Sequence, residues 1–264
     1  VGRRAVSPGL PEPVPTEDGS PTLFSEEYGE HFHNLSGAAL EARERYLVPC
    51  RIVELAQARG RLSILDIGFG LGFNVALACE ALREGAPEAR VRITTLEKSP
   101  IPPALWRKLA RGLLGGGARS RGEEEITEGL ATLLTAGEAR LGPVEIKMRV
   151  GAAEDVIEDL EGPFDAVFLD PFSPDRNPEL WTERFLGEVA RKCRAGAILS
   201  TYSAAVRPRV ALLRAGWRIG AGPRVGRKSS GTLATIGEVE PPIPPLTPRE
   251  QRRLQRRAEE VREP

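Results

Sequence analysis

The chain of 264 residues balances 37 Lys and Arg against 37 Asp and Glu, with 41% hydrophobic and 28% charged residues. That length suits one α/β domain with extensions and a sizeable core, in the ordinary composition of a globular chain. No run of eighteen apolar residues exists, which excludes a membrane-spanning helix. Three scattered cysteines (Cys50, Cys79 and Cys193) lack C-x-x-C spacing, so zinc and a disulfide framework are not expected and no metal is predicted. They fit a reducing cytoplasm, and Arg3-Arg4 is followed by none of the apolar stretch that a secretory signal needs.

Residues 1–20, rich in Pro, Gly and Glu, predict a mobile arm. Asp18 to Leu23 reads as an extended or turn segment able to form a small hairpin with the residues after it. Tyr28, His31, Phe32, His33 and Asn34 cluster polar and aromatic groups ahead of a helix predicted over 37–59. Its apolar residues at 40, 47, 48, 52, 55 and 56 fit one buried face. Residues 21–60 thus form a cap segment before the main domain, 61–238.

That domain is organised around Ile64-Leu65-Asp66-Ile67-Gly68-Phe69-Gly70-Leu71-Gly72-Phe73-Asn74. An apolar run ends in an acid, glycines alternate with large apolar residues, and an amphipathic run comes next: strand, tight turn, helix. The glycines let the backbone open and a ligand approach the main chain. A dinucleotide turn has G-x-G-x-x-G with a pyrophosphate on the helix N-terminus. Here the spacing is G-x-G-x-G, and a carboxylate at Asp66 would repel a pyrophosphate while suiting a cationic amino-acid ligand. S-adenosylmethionine carries a sulfonium and an ammonium and no phosphate, so the turn favours a methyl donor over NAD.

Strands are predicted at 62–66, 91–97, 144–150, 164–170, 196–202, 217–221 and 231–237, and helices at 73–84, 102–113, 152–160, 178–193 and 204–215. The alternation predicts a mostly parallel seven-stranded sheet with helices on both faces, its final strand pair antiparallel at the edge. Residues 114–142 read as an insertion with an acidic helical patch. After Glu238 a Pro-rich linker leads to Thr247-Pro248-Arg249-Glu250, a capping box with proline at N1. The arginine-rich tail helix it opens has few apolar residues and is expected to be solvated or loosely docked. Residues 239–264 form this linker and basic helix.

In open α/β sheets ligands sit at the carboxyl ends of strands. Three such ends carry acids: Asp66, Glu97 and Asp170. Glu97 can take both ribose hydroxyls of a nucleoside, since a carboxylate offers two acceptor oxygens. Asp170-Pro171-Phe172 sets a carboxylate and a ring at the mouth, where Asp170 can orient an amine and accept its hydrogen bond. From Val189 to Gly237 ten basic residues occur with no acid, against an acid-rich stretch from Glu123 to Asp170. Such asymmetry suggests a polyanionic partner.

These residues also carry a resemblance. Leu169-Asp170-Pro171-Phe172-Ser173-Pro174 with Asn177-Pro178-Glu179-Leu180-Trp181 is similar to the LDGFAP-x-x-NP-x-x-W signature of the methyltransferase part of the bacterial enzyme making 5-methylaminomethyl-2-thiouridine at the tRNA wobble position. Phe32-His33-Asn34 through Gly37, Glu41 and Arg43, the Asp66–Asn74 turn and Gly226-Arg227-Lys228 resemble further pieces of that family in order. The likeness spans about residues 18 to 237. It implies a Rossmann-like class I methyltransferase transferring a methyl group from S-adenosylmethionine to the amine of 5-aminomethyl-2-thiouridine in tRNA. Donor contacts are then expected from Asp66, Gly68, Phe69, Gly70, Gly72, Asn74, Glu97, Gly151, Ala152 and Asp170. Catalysis falls to Asp170 and Phe172. Tyr28, Phe32, Asn34, Tyr202, Arg207, Arg227 and Lys228 would meet the RNA, the basic ones neutralising phosphates of the anticodon stem-loop. Phe172, Trp181 and Tyr202 are candidates for stacking a splayed base, although a Trp on an amphipathic helix is more often core. Pro171 departs from the family glycine, and Ala152 stands where an acid often follows Gly151, with Asp155 nearby. The sequence reads as a stand-alone form without a fused FAD oxidase, with a separate oxidase or other upstream enzyme as partner. A spermidine-synthase-like amine transferase and a non-catalytic RNA-binding module on the same fold stay open.

Overall fold

The structure, a computed structural model, describes residues 11–114, 121–225 and 230–260. Two short hairpins lead in: β1 (Val14–Pro15) with β2 (Pro21–Thr22), and β3 (Phe24–Ser25) with β4 (Glu30–His31). Thr16 and Ser20 are buried, and Asp18 accepts from the N–H groups of Ser20 and Leu40. The expected mobile arm therefore gives way to an exposed strand at Val14–Pro15 and to packed chain from Thr16, and residues 1–10 lie outside the described ones. The single helix expected over 37–59 is three pieces: α1 (Ala38–Glu41), a π-helical turn over Ala42–Leu47, and α2 (Ile52–Arg59). Arg51, at φ 53, breaks the run in the left-handed region.

The main sheet starts with β5 (Arg61–Ile67), followed by α3 (Phe73–Gly85), β6 (Arg90–Glu97) and α4 (Pro103–Leu113). Next come α5 (Arg121–Ala136), β7 (Glu138–Leu141), β8 (Val144–Val150), α6 (Ala153–Val156) and β9 (Phe164–Leu169). The chain continues through α7 (Glu183–Arg191), β10 (Cys193–Thr201), α8 (Val206–Arg214), β11 (Arg218–Ala221), β12 (Thr232–Thr235) and α9 (Pro248–Glu260). Strand order is β11-β12-β10-β9-β5-β6-β8-β7, parallel from β10 to β8 and antiparallel at both edges. The final pair closes antiparallel, as expected. The sheet has eight strands rather than seven because the insertion ends in β7, which folds back on β8 through Gly142 at φ 59. Gly115 to Gly117 of that insertion lie outside the described residues. The helix expected over 178–193 restarts at Thr182, whose hydroxyl accepts from the Phe185 N–H, and the one over 152–160 keeps only α6 and a 3₁₀ turn.

Alternation along the central strands divides the core into two layers. Ile64 of β5 with Ala166 and Phe168 of β9 packs toward α3, α4 and α5; Leu65, Ile67, Val167 and Leu169 pack toward α7 and α8. Both strands are buried on both faces, as parallel sheets with two helical layers require. The chain runs β5, β6, β8 toward one edge and returns through β9 and β10 toward the other. The reversal lies between β5 and β9, the place where such folds hold ligands.

Candidate active site

A cavity of about 580 Å³ opens at that reversal. Ile67 pairs with Leu169, so the residues after them face each other across the two strand ends. Gly68 sits at φ 90, and a Cβ there would lie 2.8 Å from the Asp170 carbonyl oxygen. Only glycine fits that approach. Gly70, at φ 53, donates its N–H to Glu97 Oε2 at 2.8 Å, and Ser99 N–H reaches Glu97 Oε1 at 2.8 Å. Glu97 is thus held by backbone on both oxygens, each keeping a further lone pair for a ligand hydroxyl. Burial raises its carboxyl above the usual range, and the backbone donors partly oppose this.

Asp170 is clamped more tightly. Tyr46 donates its hydroxyl to Oδ1 at 2.5 Å, and Asn74 donates Nδ2–H to Oδ2 at 2.9 Å. Burial first, and then the charge of Glu41, push the Asp170 carboxyl well above its ordinary value. Tyr46 reaches it from the π-helical turn, in which Val48 N–H bonds back to Arg43 O five residues earlier. Such extra-residue turns recur at functional sites. Sequence reasoning misses Tyr46 because it lies within a helix judged by its apolar spacing; its closeness in sequence to Glu41 is the available signal.

Beside Asp170, Phe172 stacks on Tyr28 with centroids 4.1 Å apart and meets Phe32 edge-on at 5.1 Å. The β3–β4 hairpin that carries Tyr28 is tied down by Glu30, which accepts from both the N–H and hydroxyl of Ser173. Asn34 lines the cavity, and its N–H donates to Glu41. Tyr202 lines it too, its hydroxyl fixed on Pro171 O at 2.9 Å. Trp181 is buried, donates to Phe172 O and meets Tyr202 edge-on, which is the core role its helix suggested. His33 stacks on Phe73, and burial lowers its imidazole to about 4, so it is neutral near pH 7.

Several expected contacts fall elsewhere. Asp66 does not line the cavity; it is fully buried beneath it, taking Thr95 Oγ1–H at 2.6 Å. Gly72 does not line it either, since it caps α3 with the Phe69 ring packed over it. Gly151 and Ala152 do line it, and the acid beside them is Glu154, not the exposed Asp155. Arg207 is exposed and away from the cavity wall, while Arg227 and Lys228 lie outside the described residues. Among the described residues most of the basic run is already engaged: Arg191 with Glu188, Arg194 with Asp165, Arg218 with Glu238, buried Arg209 with Glu250, and Lys192 and Arg214 on backbone carbonyls.

A family model described as S-adenosyl-L-methionine-dependent methyltransferase matches residues 126–236. The crystal structure of MnmC2 from Aquifex aeolicus is similar over 94% of this chain and 76% of that one, with a TM-score of 0.79 and 34% identity. The chain belongs to the MnmC2 family of S-adenosylmethionine-dependent methyltransferases. Two curated relatives are bifunctional tRNA 5-methylaminomethyl-2-thiouridine biosynthesis proteins MnmC. That of Ectopseudomonas mendocina is 34% identical over 77% of this chain and 31% of its own length. That of Paracidovorax citrulli is 32% identical over 86% and 35%. The chain spans about a third of the length of these relatives.

The cavity suits the family's methyl donor on chemical grounds. Seven acids line it, among them Glu41, Glu97, Glu154 and Asp170, against one lysine, Lys98, and no arginine. That charge set disfavours a phosphate-bearing cofactor and accommodates a sulfonium and an ammonium. The open backbone of Gly68 and Gly70, the carboxylate of Glu97 and the Gly151–Ala152 corner would hold the donor. Among the described residues no group of His, Cys, Asp and Glu is arranged to hold a metal ion, and no helix is long and apolar enough to cross a membrane.

Proposed function

We propose that this chain methylates the primary amine of 5-aminomethyl-2-thiouridine at the wobble position of tRNA, giving 5-methylaminomethyl-2-thiouridine. The observation that carries the reading is Asp170. It is a half-buried carboxyl at the cavity wall, clamped by Tyr46 and Asn74 and edged by aromatic rings, at the ligand-binding reversal of a methyltransferase sheet. The relatives named for this tRNA modification support the substrate.

S-adenosylmethionine, when bound, supplies a methyl group on a positively charged sulfur. The acceptor amine arrives mostly as ammonium near pH 7 and must lose a proton before its lone pair can attack. Asp170, whose burial strengthens it as a base, takes that proton at the oxygen lone pairs left free by Tyr46 and Asn74. The same two bonds fix its direction, so Asp170 would orient the acceptor nitrogen toward a bound donor, and positioning is the larger contribution. Phe172, Tyr28 and Phe32 offer faces and edges against which a base splayed from the anticodon loop stacks. A separate oxidase or other upstream enzyme must supply the free amine, and the reaction belongs in the cytoplasm with its tRNA.

The test is transfer of labelled methyl from S-adenosylmethionine into tRNA bearing the aminomethyl group, followed by nucleoside digestion. Label in the wobble nucleoside alone is expected. Label in a polyamine precursor and none in tRNA would replace this reading with a small-amine transferase.

A further inference from the structure

An acidic cavity is a poor place for a nucleic-acid backbone, so the phosphates of an RNA acceptor must be met elsewhere. In the basic run 189–237, Arg207 and Arg224 are the arginines among the described residues with neither a hydrogen-bond nor an ion-pair partner. The C-terminal helix is different. α9 docks by one face: Leu254 is buried against Val210 and Leu246, Arg209 pairs with Glu250 at 2.8 Å, and Arg214 donates to Ala258 O at 3.0 Å. Arg249, Arg252 and Arg256 stand on the opposite face and Arg253 on its flank, all exposed. Among the described residues none of the four has a carboxylate within ion-pair reach, and they stand together on one helix, whereas other exposed arginines without an ion pair, such as Arg61, Arg111 and Arg149, are scattered over separate elements. Like charges three and four apart weaken a helix, so this spacing works against α9 unless an anion covers it.

The pairings also fix direction. Residue 209 meets 250 and residue 214 meets 258, so α9 runs parallel to α8. α8 begins just after β10, whose last residues lead into Tyr202 at the cavity. The arginine row therefore starts at the sheet edge where the cavity opens and runs down the flank, with Glu259 closing its far end.

We propose that the outer face of α9, through Arg249, Arg252, Arg253 and Arg256, is a docking surface for an RNA phosphodiester backbone. The proposal rests on the tRNA reading for its choice of polyanion. Phosphates lie along the flank while the uncharged base and its ammonium enter the acidic cavity.

The experiment measures binding of the full chain to an unmodified tRNA transcript across a salt series. Replacing Arg252, Arg253 and Arg256 together by Gln, a good helix former, is expected to weaken binding about tenfold or more and to lower the log–log salt slope by about two. Donor binding and helix content are expected to stay at wild-type values. A control in which Arg107, Arg121 and Arg218 become Gln removes the same charge from ion pairs and is expected to keep the slope. An unchanged slope in the α9 variant, an equal loss in the control, or wild-type binding to anionic lipid vesicles in place of RNA would overturn the proposal. Binding needs no methyl acceptor, so RNA held by α9 without methyl transfer would sink the proposed activity and leave this surface standing. Methyl transfer with an indifferent α9 would do the reverse.

Discussion

Asp66 pairs in register with Phe168, and Asp170 comes at the end of that neighbouring strand, so two acids lie close together with different surroundings. Asp170 reaches the cavity and is met by two donors. Asp66 stays beneath the floor with one, and its Oδ1 has no partner. Burial pushes its carboxyl from 3.8 up to about 7. The folded state therefore keeps a proton that the unfolded chain gives up. The resulting stabilisation is complete below pH 3.8 and is lost as pH rises through about 7. Asp66→Asn keeps an acceptor for Thr95 and cannot ionise, so it is expected to raise the unfolding midpoint at pH 8 and change it little at pH 4. Equal shifts at both pH values in thermal melts would contradict that account. Nothing in the sequence distinguishes the two acids, since each ends an apolar strand; which carboxyl faces ligand depends on the turn beyond it.

At the scale of elements, the capping box of α9 was legible and its docking was not. Thr247 and Glu250 make the reciprocal bonds that their spacing announced. The attachment draws on Leu246, ahead of the helix, and on Arg209, an arginine buried within the basic stretch whose charge asymmetry suggests a polyanionic partner. The Arg209 hydrogen bond, with that of Thr247, lowers the Glu250 carboxyl to about 2. Glu250→Gln and Leu254→Ala are each expected to speed hydrogen exchange across α9. Leu254→Ala should cost about 2–3 kcal/mol, the lower range for emptying a buried leucine site. Unchanged exchange in both variants would return α9 to a loosely held tail. The 37–59 helix shows the converse limit: its apolar spacing was visible, but a π-helical turn changes which residues face inward, and that brought Tyr46 to Asp170.

Over the whole molecule, the strand-turn-helix at Asp66–Asn74 and the alternation after it made the doubly covered sheet readable, because burial on both faces leaves a plain apolar record in β5 and β9. The eighth strand was hidden in an insertion whose residues alternate weakly at an exposed edge. Charge was readable only as a total and a trend along the chain. Among the described residues folding sorts it into an acidic cavity, a basic run mostly held by ion pairs and carbonyl hydrogen bonds, and an arginine face on α9 without ion pairs. On the proposed reading, that sorting would let one chain take a cationic donor and a cationic amine beside a polyanion.

The central claim is that Asp170 prepares and aims the acceptor amine. The most direct measurement is single-turnover methyl transfer to aminomethyl-bearing tRNA by Asp170→Asn, with donor affinity measured on the same preparation. Transfer is expected to fall about a hundredfold or more, the scale of a lost acid-base group, while donor affinity weakens far less. Undiminished transfer, or a loss accounted for entirely by weaker donor binding, would contradict it.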